Sequence, residues 1–288
     1  MDREIMAVQR MQDFIRENLS REITLSDLSE VSFYSPWHAH RLFRAYTGVS
    51  VGKYIRSLRL SEAAVRLRDE DVSVTEVSLE SGFDSVDGFQ RAFRNEFSVN
   101  PGAYSRNPIP IPLFIPYGVS YRQSKEKKVM KEFQNVFVSL VEKEERKVII
   151  RRGRKADEYF SYCAEVGCDV WGILKSMACE PVCLYLPSKY IKPGTSSYVQ
   201  GVEKPLCYDG PVPEGFDVIT LPKTSYLMFQ GEPFAEEDYE EAIIAVKQSM
   251  DKYDPSILGY EFTDNEPRIQ LEPIGKRGYI ELRAVEKI

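Results

Sequence analysis

Two arginine pairs stand at matched places in the first third of this chain. Arg41 and Arg44 follow Ser35 by six and nine residues, and Arg91 and Arg94 follow Ser85 at the same intervals. A guanidinium presents a planar fork of donors that fits guanine O6 and N7, while arginine, serine and backbone N–H groups also hold phosphates. A lone surface arginine marks only a solvated helix face. Its repetition at equivalent positions of two outward faces points to a shared partner, and the chemistry on offer is nucleic-acid recognition. Other chemistries are poorly supplied. The two histidines, His38 and His40, are two residues apart on one helix, which is poor metal spacing. No G-x-S-x-G or P-loop pattern occurs. The five cysteines, Cys163, Cys168, Cys179, Cys183 and Cys207, form no C-x-x-C pair and read as reduced structural thiols.

The arginines belong to an internal repeat. Shifting residues 35–56 by 50 positions gives eight identities in 22, among them Phe43 with Phe93, Val49 with Val99, Gly52 with Gly102 and Tyr54 with Tyr104. Upstream the shift becomes 49 and pairs Ser29 with Ser78. Each copy reads as a short helix, a tight turn and a longer helix, about residues 23–47 and 72–98. In the first, Leu25 to Val31 is the short helix, Ser35 caps the second and Pro36 takes its first position. Ala39, Leu42, Phe43 and Tyr46 then fall on one face, leaving Trp37, His40, Arg41 and Arg44 on the other. In the second copy Phe89, Ala92, Phe93 and Phe97 face inward, and Val86, Asp87, Gln90, Arg91 and Arg94 face outward. A proline-free helical stretch, 51–68, joins the copies and would hold the two outward faces at a fixed separation. Such a pair can enter successive major-groove segments about 34 Å apart.

Composition sets the wider frame. Of 288 residues, 43% are hydrophobic and 28% charged, which excludes a mainly disordered or collagen-like chain. No run approaches the roughly 20 apolar residues that span a bilayer, and the first residues interleave charges, so a cytoplasmic, nucleoid-associated protein without membrane contact is expected. The net charge of −6 is unevenly spread: residues 1–106 carry 14 Lys and Arg against 16 Asp and Glu, while residues 131–288 carry 20 against 27. Between them, Asn107 to Pro116 alternates proline with apolar residues, and the run Arg122 to Lys131 is basic. Proline cannot continue a helix, so 107–130 reads as an extended linker between domains 1–106 and 131–288.

The pattern S-P-W-H-A-H-R-L-F-R-x-x-T-G-V-S-x-x-x-Y-I-R-x-x-R-L-x-x-A (35–63), followed by E-S-G-F-D-S-V-D-G-F-Q-R-A-F-R-N-E-F-S-V-N-P-G-A-Y (80–104), resembles the DNA-binding domain of AraC/XylS-type transcriptional regulators. The closest branch carries this domain at the N-terminus. The resemblance spans about residues 5–106 and implies an all-α double helix-turn-helix domain bound to double-stranded DNA. It places Trp37, His40 and Arg41 on the bases of one half-site and Gln90 and Arg91 on the other, with Ser35, His38, Arg44, Ser85 and Arg94 completing the interface. It also implies contact with RNA polymerase and a role in activation. Two departures stand out: Phe33 occupies a turn position where the family usually has glycine, and Asp87-Gly88 replace base-reading polar residues. The first unit is therefore expected to carry most direct readout.

Residues 131–288 read as α+β in two strand-glycine-helix-strand-strand halves. The first comprises strand 147–152, Gly153, helix 156–177 and strands 181–186 and 196–202. The second comprises strand 225–230, Gly231, helix 234–253 and strands 268–272 and 278–285. Together they suggest a pseudo-twofold repeat with a ligand cleft between the halves. D-E-Y-F-S-Y-C-x-x-x-G-x-x-V-W-G-x-L (157–174), Y-L-M-F-Q-G-E (226–232) and the closing strand (266–285) resemble the GyrI-like effector-binding domain. That resemblance implies a small-molecule effector met by an acidic residue of the closing strand. Here that residue is Glu281, with Tyr159, Phe160, Trp171, Tyr226 and Tyr279 as aromatic walls and Arg283 as a neighbour able to neutralise it. Such a site suits a cationic or amphipathic, multidrug-type ligand. No cofactor, metal or catalytic residue is expected. The alternatives are a GyrI-like hydrolase with Glu281 as general base, or a protein-interaction module. A monomer spans two half-sites through its two units, so a homodimer is allowed and not required.

Overall fold

The computed structural model describes residues 3–83, 85–116, 118–119, 135–167 and 169–288. The basic run Arg122–Lys131 and Cys168 lie outside the described residues. The chain divides into two compact units, Met1–Lys127 and Lys128–Ile288. Among the described residues no helix is long and apolar enough to cross a membrane.

The first unit is helical: α1 (Arg3–Glu17), α2 (Leu25–Ser32), α3 (Pro36–Thr47), α4 (Val51–Asp69), α5 (Val74–Glu80), α6 (Val86–Phe97) and α7 (Pro101–Arg106). Local chemistry fixes several starts. Thr24 and Asp27 form a reciprocal capping box on α2, and the two hydrogen bonds from Thr24 to the Asp27 carboxylate lower its pKa. Ser73 and Ser85 accept the Glu76 and Gly88 N–H groups at 3.1 Å. Ser35 differs from the expectation: it sits at the cap of α3, but its side chain makes no capping bond, and Pro36, which needs no N–H partner, begins the helix.

The repeat is larger than the helix-turn-helix pairs. The same 49-residue shift relates α1 to α4, where Arg10 matches Arg59. Arg10 donates to the carbonyls of Val31 (2.7 Å) and Ser32 (3.2 Å), at the end of α2. Arg59 donates to the carbonyl of Gly82 just past α5 (2.9 Å), and also to those of Leu19 and Arg21. Each unit is thus a trihelical body, α1–α2–α3 and α4–α5–α6, with its own core. One core is built on Ile5, Met11, Leu28 and Phe43, the other on Leu60, Val77, Phe89 and Phe93. Each body also needs two left-handed residues: Phe33 (φ +62°) and Gly48 (+78°) in the first, Gly82 (+68°) and Ser98 (+58°) in the second. A Cβ at Gly82 would meet the Arg59 guanidinium at 2.8 Å, so glycine there serves both conformation and space.

The segment 107–116 is extended, as its prolines dictate, yet it is packed against the helices instead of hanging free. Ile111 and Leu113 are buried in the second core and Val119 in the first. The Phe114 N–H donates to Ser61 Oγ at 2.7 Å and the Val119 N–H to Gln12 Oε1 at 2.9 Å. Gln12 and Ser61 are equivalent under the 49-residue shift, both are buried, and each supplies the acceptor that an N–H needs away from water. The Phe114 ring meets Tyr54 edge-on at 5.2 Å.

The second unit is a nine-stranded sheet in which every pairing is antiparallel. Its elements run β1 (Val136–Lys143), β2 (Arg146–Arg152), α8 (Tyr159–Val166), α9 (Asp169–Met177), β3 (Val182–Tyr185), β4 (Tyr198–Pro205), β5 (Asp217–Leu221), β6 (Thr224–Gly231), α10 (Tyr239–Lys252), β7 (Tyr260–Phe262), β8 (Arg268–Leu271) and β9 (Ile280–Lys287). The spatial order is β1-β6-β9-β8-β3-β4-β2-β5, with β7 on β9. The single helix expected over 156–177 is broken into α8 and α9 after Gly167, whose φ of +100° no helix continues. Helices α8 and α9 pack over β4 and α10 over β1, β6 and β9, while β3 and β8 run between them.

Replacing Ser61 with alanine strands the Phe114 N–H, and burial without a partner costs about 1–3 kcal/mol. Hydrogen exchange should report it, with the Phe114 amide losing most of its protection while amides inside α4 keep theirs.

Candidate functional site

On α3 the residues Ala39, Leu42 and Phe43 are buried, which turns Ser35, Trp37, Arg41 and Arg44 outward into solvent. Trp37 is 75% exposed, an unusual state for a tryptophan with no core to fill. His40 is half-buried on the same helix, and His38 is held by stacking on Tyr34, with centroids 4.7 Å apart. On α6 the buried Phe89, Phe93 and Phe97 turn Ser85, Gln90, Arg91 and Arg94 outward. The two faces therefore match residue by residue: Ser35 with Ser85, His40 with Gln90, Arg41 with Arg91, Arg44 with Arg94.

These arginines are left without ionic partners among the described residues. Several other guanidinium groups of the unit are used internally: Arg66 on Glu70 and Glu80 (3.1 and 2.7 Å), Arg68 on Asp69 (2.6 Å), Arg10 and Arg59 on carbonyls; Arg56 and Arg106, also related by the repeat, have no ion pair there either. Among the described residues no carboxylate lies within 4.0 Å of Arg41, Arg44, Arg91 or Arg94, and Arg91 makes only a 3.4 Å bond to the Asp87 carbonyl. Four uncompensated guanidinium groups on two parallel-built faces are free donors for an anionic, hydrogen-bonding surface. Asp87 lies beside them on α6 and has no counterpart on α3, so the first face is the more cationic.

In the sheet unit the register brings four polar side chains into one row across adjacent strands. Gln200 on β4 pairs with Cys183 on β3, which pairs with Gln270 on β8, which pairs with Glu281 on β9. All four are buried and point to the helix-bearing face, between α8–α9 and α10. Glu281 is completely buried; Arg268 pairs with one carboxylate oxygen and the Tyr279 hydroxyl donates to the other at 2.8 Å. Burial, followed by the adjacent Glu281 charge, raises the Tyr279 pKa well above its ordinary value, and burial pushes the Cys183 thiol up to about 12.

Several expected effector residues are placed otherwise than expected. Arg283 is not the neutralising partner of Glu281; it stacks on Phe262 and reaches Asp264 at 3.8 Å, and Arg268 takes that role. Tyr226 pairs in register with Ala284, so it lies on the opposite face of the sheet, where Arg146 sits over its ring at 5.8 Å. Tyr159, Phe160 and Trp171 do come together, Tyr159 lying edge-on to both at 5.5 and 6.3 Å. Phe160 is exposed and Trp171 is buried with its Nε1 unbonded. The residues that sequence reasoning missed are Arg268, Gln270, Cys183 and Gln200; the only available signal was a polar residue at alternate positions of otherwise apolar strands. Open grooves of about 430 and 460 Å³ lie elsewhere, one beside Lys143, Arg146 and Glu203, the other beside Leu19, Arg59 and Glu80.

The helical unit is thus built as a paired helix-turn-helix reader of DNA, and known proteins agree. A family model described as a helix-turn-helix domain matches residues 28–107. The Transposon Tn10 TetD protein of Escherichia coli is 38% identical over 96 residues, covering 33% of this chain and 70% of that protein. The multiple antibiotic resistance protein MarA of Escherichia coli K12 is 35% identical over 99 residues, covering 34% and 78%. Among solved structures, an AraC-type transcriptional regulator from Chromobacterium violaceum is 25% identical, covers 36% of this chain and 95% of its own, and has a TM-score of 0.33. The chain belongs to the AraC-type family of DNA-binding transcription regulators, which are not enzymes.

The buried pair in the sheet unit carries its own prediction. Arg268→Met leaves the buried Glu281 carboxylate with the Tyr279 hydroxyl and Gln270 but no counter-ion, at an expected loss of about 2–4 kcal/mol, moderated because Arg268 is one-third exposed. Adding Glu281→Gln should recover most of that loss in denaturant titrations; additive losses would show that the two side chains act independently.

Proposed function

We propose that the chain is a one-component transcription regulator in which Arg41 and Arg91, with Trp37, His40 and Gln90, read bases in two successive major-groove segments. Ser35, His38, Arg44, Ser85 and Arg94 hold the flanking phosphates. The observation that carries this reading is the pair of unpartnered guanidinium sets at equivalent positions of α3 and α6 in one rigid repeat. Activation, through contact with RNA polymerase, follows from family analogy. A monomer suffices for two half-sites.

The second unit is proposed to be a GyrI-like effector domain with a pseudo-twofold axis between β3 and β8. Its support is the topology: β2–α8/α9–β3–β4 and β6–α10–β8–β9 appear in the sheet as β2-β4-β3 against β6-β9-β8. The effector site lies on the face carrying Glu281, Tyr279, Tyr159, Phe160 and Trp171. Because Arg268 already compensates Glu281, a cationic or amphipathic effector binds by displacing that guanidinium, and the displacement couples ligand to conformation. The name of MarA supports a response to antibiotic-like compounds.

The direct test is selection from a randomised duplex pool with the full chain, followed by titrations at several salt concentrations. A motif with two contacted segments about one helical turn apart is expected; no enrichment would defeat the reading. Within the selected motif, Arg41→Ala should cost about 1–3 kcal/mol and relax preference at one base pair, whereas equal weakening on all duplexes would make Arg41 a phosphate contact.

A further inference from the structure

The turn of the first helix-turn-helix contains a residue that the backbone disfavours. Phe33 has φ +62° and ψ +26°, the left-handed region, where a bulky L side chain is an outlier. The repeat shows what the turn requires: the equivalent residue of the second unit is Gly82, also left-handed at φ +68°. Phe33 gains no packing in return. Its side chain is 82% exposed and absent from both cores, and its recorded ring contact is the Arg10 guanidinium at 5.1 Å. Strain held with no core packing and only one exposed cation–π contact points to a residue kept for a partner. Along the chain two further apolar residues are exposed, Pro36 and Trp37 in the first turn of α3, three and four residues on.

In such motifs the N-terminal residues of the second helix meet base edges, and Phe33 lies two residues before Ser35, the cap of that helix. An aromatic ring there has one base-specific partner of its own chemistry, the thymine C5-methyl group. We infer that Phe33, together with Trp37, forms an apolar reader of a thymine methyl at the edge of the first half-site, a specificity determinant that the second unit lacks. The inference rests on the DNA-reading role of the helical unit proposed above.

Full-length Phe33→Gly and Phe33→Asn test it, since both residues accept the left-handed conformation and should fold at least as stably as the parent, as a melting curve will verify. Selection from a randomised duplex pool by the parent chain should yield a thymine beside the first segment, and Phe33→Gly should lose that preference alone. On the selected duplex, replacing that thymine with uracil removes only the methyl group. It should weaken the parent about fivefold or more, the scale of one mismatched pair, and weaken both variants distinctly less, since they keep only Trp37. Equal motifs and equal uracil sensitivity in parent and variants would overturn the inference while sparing the DNA-reading role. A parent that enriches no motif would sink both.

Discussion

Two buried acceptors, Gln12 Oε1 and Ser61 Oγ, hold the arrangement of the helical unit together. They occupy matched places in the two trihelical bodies, and each takes a backbone N–H from the chain that follows α7, Val119 and Phe114 respectively. Each bond satisfies a donor that would otherwise be stranded away from water, so Phe114 and Val119 are each held by an obligatory interaction. Ile111 and Leu113 add apolar area in one core and Val119 in the other. Helix α4 is the second shared part, being the connection out of the first body and the first helix of the second. With α4 and the chain after α7 common to both, α3 and α6 belong to one body, and their matched arginines stand at a separation fixed by packing.

The sheet unit is organised around a different constraint, the cost of an ion in a dry interior. Glu281 is tolerable at complete burial because Arg268, the Tyr279 hydroxyl and Gln270 surround its carboxylate. These groups come from strands β8 and β9 and the residue just before β9. Their register therefore matters as much as their identity. Any group that competes for this carboxylate acts on the pairing of β8 with β9.

Much of the helical unit was legible because its faces are written at helical spacing: Phe89, Phe93 and Phe97 inside dictate Arg91 and Arg94 outside. The role of α1 was not, because its 49-residue match to α4 is sparse, with Arg10 and Arg59 identical while Gln12 and Ser61 share only a function. The proline-rich segment reads as an extended linker since proline signals extension; the apolar residues between the prolines are what dock it. In the sheet, alternation along β9 correctly put Tyr279 with Glu281. It could not relate β9 to β6, and Tyr226 proved to be on the far face because its partner is Ala284 rather than Glu281. Arg268, 13 residues before Glu281, became its counter-ion through strand pairing that no local pattern announces.

The central claim is that two reading heads are locked into one body. It is tested most directly by titrating the full chain against duplexes in which the two selected segments are moved apart by about 5 or about 10 base pairs, half a turn and a full turn. Locked heads predict that both insertions reduce affinity to that of a duplex with a single segment. Affinity restored by the full-turn insertion, or unchanged by either, would contradict the account.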